Sequence, residues 1–205
     1  NQMNSKIIVV VGPTSSGKSA LAVRLARQFN GEIISADSRQ VYKGLDIGSG
    51  KITKREMRGV PHHLLGIANP RQTFTVARYQ KLANQAMKNI IRRGRLPIIC
   101  GGTGFYIDAL LGRVSIPPVP PNQILRARLE KLTTEKLGEK LRALNPKRFK
   151  NIDLKNRPRL IRAIEIAKFF NPKVSPSVKD SPLNLDQDWN YDWLMIGIKL
   201  TPEKL

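Results

Sequence analysis

The chain has 205 residues, with 36 Lys and Arg against 15 Asp and Glu, a formal net charge of +21 that points to a polyanionic partner. That length suits one large domain or a domain with an insertion, and 40% hydrophobic residues without a low-complexity tract exclude wholesale disorder. A single cysteine, Cys100, excludes a disulfide framework and a cysteine-based zinc site; apolar runs such as residues 7–11 are too short for a bilayer and no signal-peptide pattern is read, so the cytoplasm is the expected compartment, without membrane association.

Residues 6–11 form a continuous apolar run ending at Gly12, the pattern of a buried parallel strand. Apolar positions at helical spacing follow over residues 19–27, then a second short strand over 32–36 that ends at Asp37. A helix is predicted over 76–93, closed by Gly94, and a third strand over 96–100 runs into Gly101-Gly102-Thr103-Gly104. Strand and helix alternate, which predicts a doubly wound α/β sheet.

Four prolines within residues 116–121 cannot continue a helix or a central strand and mark a boundary or hinge. Beyond them, residues 123–144 and 157–170 read as basic helices joined by turn-rich segments at 145–146 and 151–153. A second turn-rich stretch, 171–188, leads to 193–198, which reads as another buried strand. The expected organisation is an α/β core over 1–115, a basic α-helical insertion over 116–185 and a return to the core over 186–205. Both ends read as cut: residue 1 is Asn, and Thr201-Pro202-Glu203 is a helix start, so a longer protein with a further C-terminal helical part is expected.

The charge is unevenly spread. Residues 1–112 hold 17 basic and 5 acidic side chains; residues 113–179 hold the same numbers in a much shorter segment, and residues 180–205 hold 2 and 5. Any single charge could belong to a solvated helix face, but a regional surplus of this kind favours a phosphate backbone as partner.

Gly12-Pro13-Thr14-Ser15-Ser16-Gly17-Lys18-Ser19 matches G-x-x-x-x-G-K-[ST] and lies between a predicted strand and a predicted helix, the context that the P-loop motif requires. Glycines let the backbone curl its N–H groups around phosphate oxygens, Lys18 adds a compact positive charge, Ser19 can hold Mg²⁺, and the helix N-terminus favours an anion. The core is therefore expected to be a P-loop NTPase-like sheet. A nucleoside triphosphate such as ATP and an organic diphosphate present similar oxygens, so nucleotide kinases and other transferases both remain open. Asp37 falls at the C-terminal end of the second strand, where ligands of open α/β sheets bind, among the polar residues Ser35, Ser38, Arg39 and Gln40; a turn aspartate is the alternative.

Five segments occur in order: Gly12 to Ser19, Ser35-Ala36-Asp37-Ser38-Arg39-Gln40-Val41-Tyr42-Lys43-Gly44-Leu45-Asp46-Ile47-Gly48, Pro61-His62-His63-Leu64-Leu65, Gly101-Gly102-Thr103-Gly104-Phe105-Tyr106, and Arg159-Leu160-Ile161-Arg162-Ala163-Ile164-Glu165. Together they resemble the tRNA dimethylallyltransferases, or tRNA isopentenyltransferases, over nearly the whole chain. The resemblance implies transfer of a dimethylallyl group from dimethylallyl diphosphate to the exocyclic N6 amine of the adenosine 3′-adjacent to the anticodon. It implies that Gly12, Pro13, Thr14, Ser15, Ser16, Gly17, Lys18 and Ser19 hold the diphosphate, with Mg²⁺ on Ser19, and that Asp37 contacts the acceptor amine. Asp37, Ser38, Arg39, Gln40, Thr103, Arg126 and the stretch Pro158, Arg159, Leu160, Ile161 and Arg162 would contact the anticodon stem-loop of tRNA, and the chain is expected to act as a monomer. A further arginine on the diphosphate is implied from beyond the region corresponding to Leu205.

The sequence departs from the family in carrying Ser19 in place of the more usual threonine, and Gly66 and Asn69 where carboxylates are common. Among other candidates, adjacent His62 and His63 point in different directions and lack a third ligand, so a loop role is expected. Phe105, Tyr106, Trp189, Tyr191 and Trp193 could stack on bases but more often serve as core or interface residues. Asp46 could be a second Mg²⁺ contact or an exposed loop carboxylate. Two other readings stay open: a small-molecule phosphotransferase whose basic helices form a lid, and a non-catalytic RNA-binding fragment.

Overall fold

The computed structural model of the chain describes residues 5–45, 50–171 and 191–199. Its three central apolar runs become neighbouring strands because each can be buried on both faces. β1 (Ser5–Val11), β2 (Gly31–Ser35), β3 (His62–His63), β4 (Leu96–Gly101) and β5 (Tyr191–Gly197) form one parallel sheet in the order β3-β2-β4-β1-β5. The register pairs Ile8 with Ile98 and Val10 with Cys100 across β1 and β4, and Ile33 with Ile98 across β2 and β4. The fold is thus a parallel α/β sheet of the doubly wound kind, as the alternating pattern predicts.

Alternation along the strands sends neighbouring side chains to opposite faces. Val9, Ile34 and Ile99 pack with Tyr79, Ala83, Met87 and Ile90 of α3 (Val76–Arg92), and with Tyr106, Ile107 and Leu110 of α4 (Gly104–Leu110). Val10, Ile33 and Ile98 pack on the other face against Ala22, Val23 and Ala26 of α1 (Lys18–Gln28). A short helix, α2 (Lys54–Met57), begins with a capping box between Thr53 and Glu56. Both α2 and α4 fall outside the predicted elements; at 4 and 7 residues they are too short to show a helical period.

The histidine pair is a two-residue edge strand, where a loop is expected from sequence. His62 Nδ1 lies 2.8 Å from the Val60 carbonyl, and His63 Nε2 lies 2.6 Å from Glu32 Oε2. Glu32 is buried near the start of β2 and also accepts from Arg93 Nη2 at 2.7 Å and Arg95 Nη1 at 3.0 Å. Burial pushes its carboxyl up, but the bonds from Arg93 and His63 and the charge of Arg93 together hold it below the ordinary value.

The last strand corrects an expectation. Residues 193–198 read as buried, yet among the described residues β5 is an edge strand whose Trp193 and Leu194 are 42% and 62% exposed. An apolar run cannot report how many of its faces are covered. Arg113 compensates in part, its guanidinium lying 4.5 Å from the Trp193 ring centroid.

The chain divides into two compact units, residues 1–116 with 186–205, and residues 117–185. The second unit contains α5 (Gln123–Glu130), α6 (Thr134–Leu144), α7 (Pro146–Lys150) and α8 (Arg157–Phe169). Leu129, Leu137, Leu141, Leu160, Ile161 and Ile164 form its core. Residues 123–144 are two helices where one is predicted, because Thr133 caps a new start by accepting from Lys136 N–H. α7 was unforeseen, although Asn145 and Pro146 supply a cap and a proline at its first turn. The predicted helix start at 201–203 and the turn-rich 172–188 lie outside the described residues. No helix among the described residues is long and apolar enough to cross a membrane.

Two stability outcomes follow from close packing and from buried charge. A Cβ at Gly101 would lie 2.1 Å from the Ala36 carbonyl oxygen, whereas at Gly102 the nearest neighbour is 3.7 Å away. Gly101→Ala is expected to cost about 3 kcal/mol in urea unfolding and Gly102→Ala less than about 0.5 kcal/mol; equal costs would show that the approach relaxes freely. In the second unit, burial pushes the Glu165 carboxyl up, but Arg126, the Asn122 N–H and Arg162 hold it at about 2, against an ordinary 4.5. Its contribution is complete above pH 4.5 and lost as pH falls toward 2. Glu165→Gln should therefore remove about 3 kcal/mol of acid sensitivity between those limits, read from unfolding curves at stepped pH.

Candidate active site

The loop between β1 and α1 folds as its sequence requires. Ser15 and Gly17 take positive φ angles of 63° and 81°, and Gly17 is the residue before the first turn of α1. Left-handed residues among right-handed ones turn successive N–H groups to one side, which makes an anion-binding nest at a helix N-terminus. Lys18 is only 8% exposed, and its Nζ donates to the Pro13 carbonyl at 2.9 Å, across the loop. The Ser16 hydroxyl is buried and has no hydrogen-bond partner among the described residues. A buried orphan hydroxyl beside a nest is a group available to a ligand oxygen.

Asp37 is carried to this loop by the ends of β2 and β4. Ala36 N–H donates to the Cys100 carbonyl at 2.8 Å and Thr103 N–H donates to the Ala36 carbonyl at 3.1 Å. Ser38 N–H then donates to Thr103 Oγ1 at 2.9 Å, and that hydroxyl lies 3.3 Å from Ser38 Oγ. Asp37 Oδ1 accepts from Arg39 N–H at 2.8 Å and Gln40 N–H at 3.2 Å, an Asx turn that fixes the carboxylate while Oδ2 takes neither bond. Gln40 Nε2 donates to the Gly50 carbonyl at 3.0 Å.

Cys100 reports how close these groups are. Burial pushes its thiol up to about 11; the Lys18 charge and a bond with Ser19 pull down, and the Asp37 charge pushes up. Lysine, serine and aspartate therefore act on one sulfur. A cleft of about 940 Å³ runs along Thr14–Ser19, Asp37, Gln40 and the segment 50–53. For Mg²⁺, the fit is chemical: such an ion takes few protein ligands beside substrate phosphates and water. The Ser19 hydroxyl, next to the nest and within reach of Cys100, suits that donor set. Among the described residues no group of three or more His, Cys, Asp or Glu could hold a metal by itself.

Among the predicted site residues, Gly12 to Ser19, Asp37 to Gln40 and Thr103 thus share the first unit, and the bonds above tie the Asp37 segment to Thr103. Arg126, Pro158, Arg159, Leu160, Ile161 and Arg162 belong to the second unit, on α5 and α8. There the structure narrows the expectation: Leu160 and Ile161 are buried in the hydrophobic core, so their side chains do not face a partner. Pro158 and Arg159 are exposed. Arg126 and Arg162 are both bonded to Glu165. Among the aromatics, Tyr106 is buried against Tyr79 with ring centroids 4.2 Å apart, whereas Phe105, beside Thr103, is 52% exposed. Asp46 and Trp189 lie outside the described residues.

Sequence reasoning passed over Glu32 and Glu165 as ligands of arginine. The available signal was position: each is an acid placed next to buried apolar residues, Glu32 before Ile33 and Glu165 after Ile164, in an otherwise basic chain.

Sheet and loop define an α/β protein of P-loop-like fold. A family profile described as "IPP transferase" matches residues 40–205, and one described as "Isopentenyl transferase" matches residues 5–67. A tRNA dimethylallyltransferase of Thermoanaerobacter sp. (strain X514) is 42% identical over 207 residues, 99% of this chain and 65% of that protein. The solved full-length tRNA isopentenylpyrophosphate transferase of Bacillus halodurans is 39% identical, with a TM-score of 0.58, over 95% of this chain and 60% of that one. A eukaryotic dimethylallyltransferase described as acting on tRNA is 27% identical, with a TM-score of 0.78, over 98% of this chain and 50% of that one. The chain belongs to the IPP transferase family, and it spans 65% of the length of the Thermoanaerobacter relative.

The anion site has a direct test. Lys18→Ala should weaken binding of inorganic pyrophosphate, measured by calorimetry, by about 10- to 100-fold, the usual worth of a charge-assisted bond. Equal affinity in the two proteins would remove Lys18 from the site.

Proposed function

We propose that the protein transfers a dimethylallyl group from dimethylallyl diphosphate to the exocyclic N6 amine of the adenosine 3′-adjacent to the anticodon in tRNA. The observation that carries this reading is the pairing of a phosphate nest with a fixed carboxylate, Asp37, at the C-terminal ends of β1 and β2, the two strands that flank β4. The relatives named above support prenyl transfer and do not favour the phosphotransferase alternative.

An adenine amine is a weak nucleophile because its lone pair is delocalised into the ring. As the new C–N bond forms, Asp37 accepts the amine proton through the oxygen that the Asx turn leaves to the acceptor. The C–O bond to diphosphate breaks at the same carbon, and the leaving group carries the bonding pair away. Lys18 exchanges its bond with the Pro13 carbonyl for the diphosphate, and the nest N–H groups and the Ser16 and Ser19 hydroxyls share the developing charge. Mg²⁺ on Ser19, when bound, supplies further neutralisation of that charge. Thr103 holds the Asp37 turn through Ser38. The target base leaves its stack to react, which costs least in a loop. Arg126, Pro158, Arg159 and Arg162 belong to the RNA contacts, together with Ser38, Arg39 and Gln40. The reading extends to a monomeric enzyme of the cytoplasm.

Asp37→Asn is the discriminating variant because an amide oxygen keeps the Asx turn and loses the base. Incorporation of a labelled dimethylallyl group into an anticodon stem-loop should fall by about 10²- to 10⁴-fold in kcat, with RNA affinity unchanged. Full-rate transfer by Asp37→Asn would remove the assigned proton acceptor, and no transfer by the parent protein would remove the reaction.

A further inference from the structure

We propose that Glu165 is a positioning residue for RNA binding: it locks Arg126 and Arg162 into one rigid pair of guanidiniums that receives a backbone phosphate. This inference rests on the reading of the second unit as RNA-binding. Glu165 is 2% exposed and sits on α8 between Ile164 and Ile166. Its carboxylate accepts Arg126 Nε at 3.0 Å and Nη2 at 2.8 Å, Arg162 Nη1, and the Asn122 backbone N–H at 2.6 Å. Arg162 Nη2 donates in addition to the Val119 carbonyl at 2.8 Å.

Counting donors separates a positioning device from a plain ion pair. A guanidinium has five N–H groups in a fixed planar fork. The bonds above engage two on Arg126 and two on Arg162, which leaves about three on each. The two arginine side chains are 32% and 33% exposed, so solvent reaches them although the carboxylate is sealed. Two arginines share this one buried carboxylate, at a place where a structural pair needs only one. Held guanidiniums lose their rotamer freedom before any ligand arrives, and their geometry matches a phosphate bidentately. Phosphate is favoured over a carboxylate partner because the surrounding segment 113–179 has 17 basic against 5 acidic side chains, and exposed Arg159 lies one turn before Arg162 on α8.

Charge gives the test an opposite sign for the two roles. If Glu165 only stabilises the unit, removing a negative charge from a basic surface leaves RNA binding unchanged or strengthens it. If it positions the arginines, binding weakens. Binding of an anticodon stem-loop RNA should be measured by fluorescence anisotropy at pH 7 over a series of salt concentrations, for the parent protein, Glu165→Gln, Arg126→Lys and Glu32→Gln. Glu32 is the control, since it is another buried carboxylate bonded by two arginines, in the first unit. Glu165→Gln and Arg126→Lys are expected to raise Kd about tenfold and to lower the salt slope by roughly one phosphate contact, while Glu32→Gln leaves both unchanged. Arg126→Lys keeps the charge, so it carries the test if Glu165→Gln does not fold. A parent protein that binds no RNA at low salt overturns the RNA-binding reading. Parent-like or tighter binding by Arg126→Lys and by folded Glu165→Gln, or equal weakening by Glu32→Gln, overturns the positioning role alone.

Discussion

The site depends on how closely two strand ends can approach. β4 finishes at Gly101, where even a methyl group would meet the Ala36 carbonyl, and this contact lets the segments after β2 and β4 exchange backbone bonds. Asp37 and Thr103 inherit their positions from it. The phosphate nest follows β1, the strand on the other side of β4, so three parallel strands deliver three functional segments to one end of the sheet. A carboxylate and a Gly-Lys-Ser loop set on separate strands of one sheet keep their separation without relying on loop order.

Buried charge is handled in the same way in both units. Glu32 and Glu165 are sealed from water, and each takes bonds from two arginines. Removing a buried carboxylate from water is costly unless its lone pairs are filled, and the multiple charged bonds fill them. In a chain with a net charge of +21 such acids are scarce, and these two are placed where they organise cations. At Glu32 the result ties the edge strand and the α3 to β4 turn to β2. At Glu165 it ties α5 to α8.

Much of the first unit was legible from sequence because its signals are local. A five-residue apolar run, a G-x-x-x-x-G-K-S loop and an amphipathic repeat each constrain their own backbone, and β1, α1, β2, α3 and β4 fall within a residue or two of expectation. Asp37 was found because its strand ended where ligands bind. What escaped depended on partners distant in sequence. Nothing near Cys100 announces that Lys18, Ser19 and Asp37 all act on its thiol. Leu160 and Ile161 stand in a motif with two arginines, and only the packing of α8 on Leu137 and Leu141 turns them inward. The break between α5 and α6 was written in Thr133, but a continuous basic amphipathic pattern concealed it.

β5 carries a consequence for how copies of the chain behave together. It is the terminal strand of the sheet among the described residues, and it shows Trp193 and Leu194 to solvent. Terminal strands invite edge-to-edge association, which proteins commonly oppose with charge. Here the opposing force is diffuse: a net charge of +21 over the whole chain keeps molecules apart at a distance. Added salt contracts that repulsion to within about 10 Å at 0.1 M. An ionic strength that screens this repulsion removes what keeps the exposed face of β5 from a second copy of this chain, so its colloidal stability falls as salt rises.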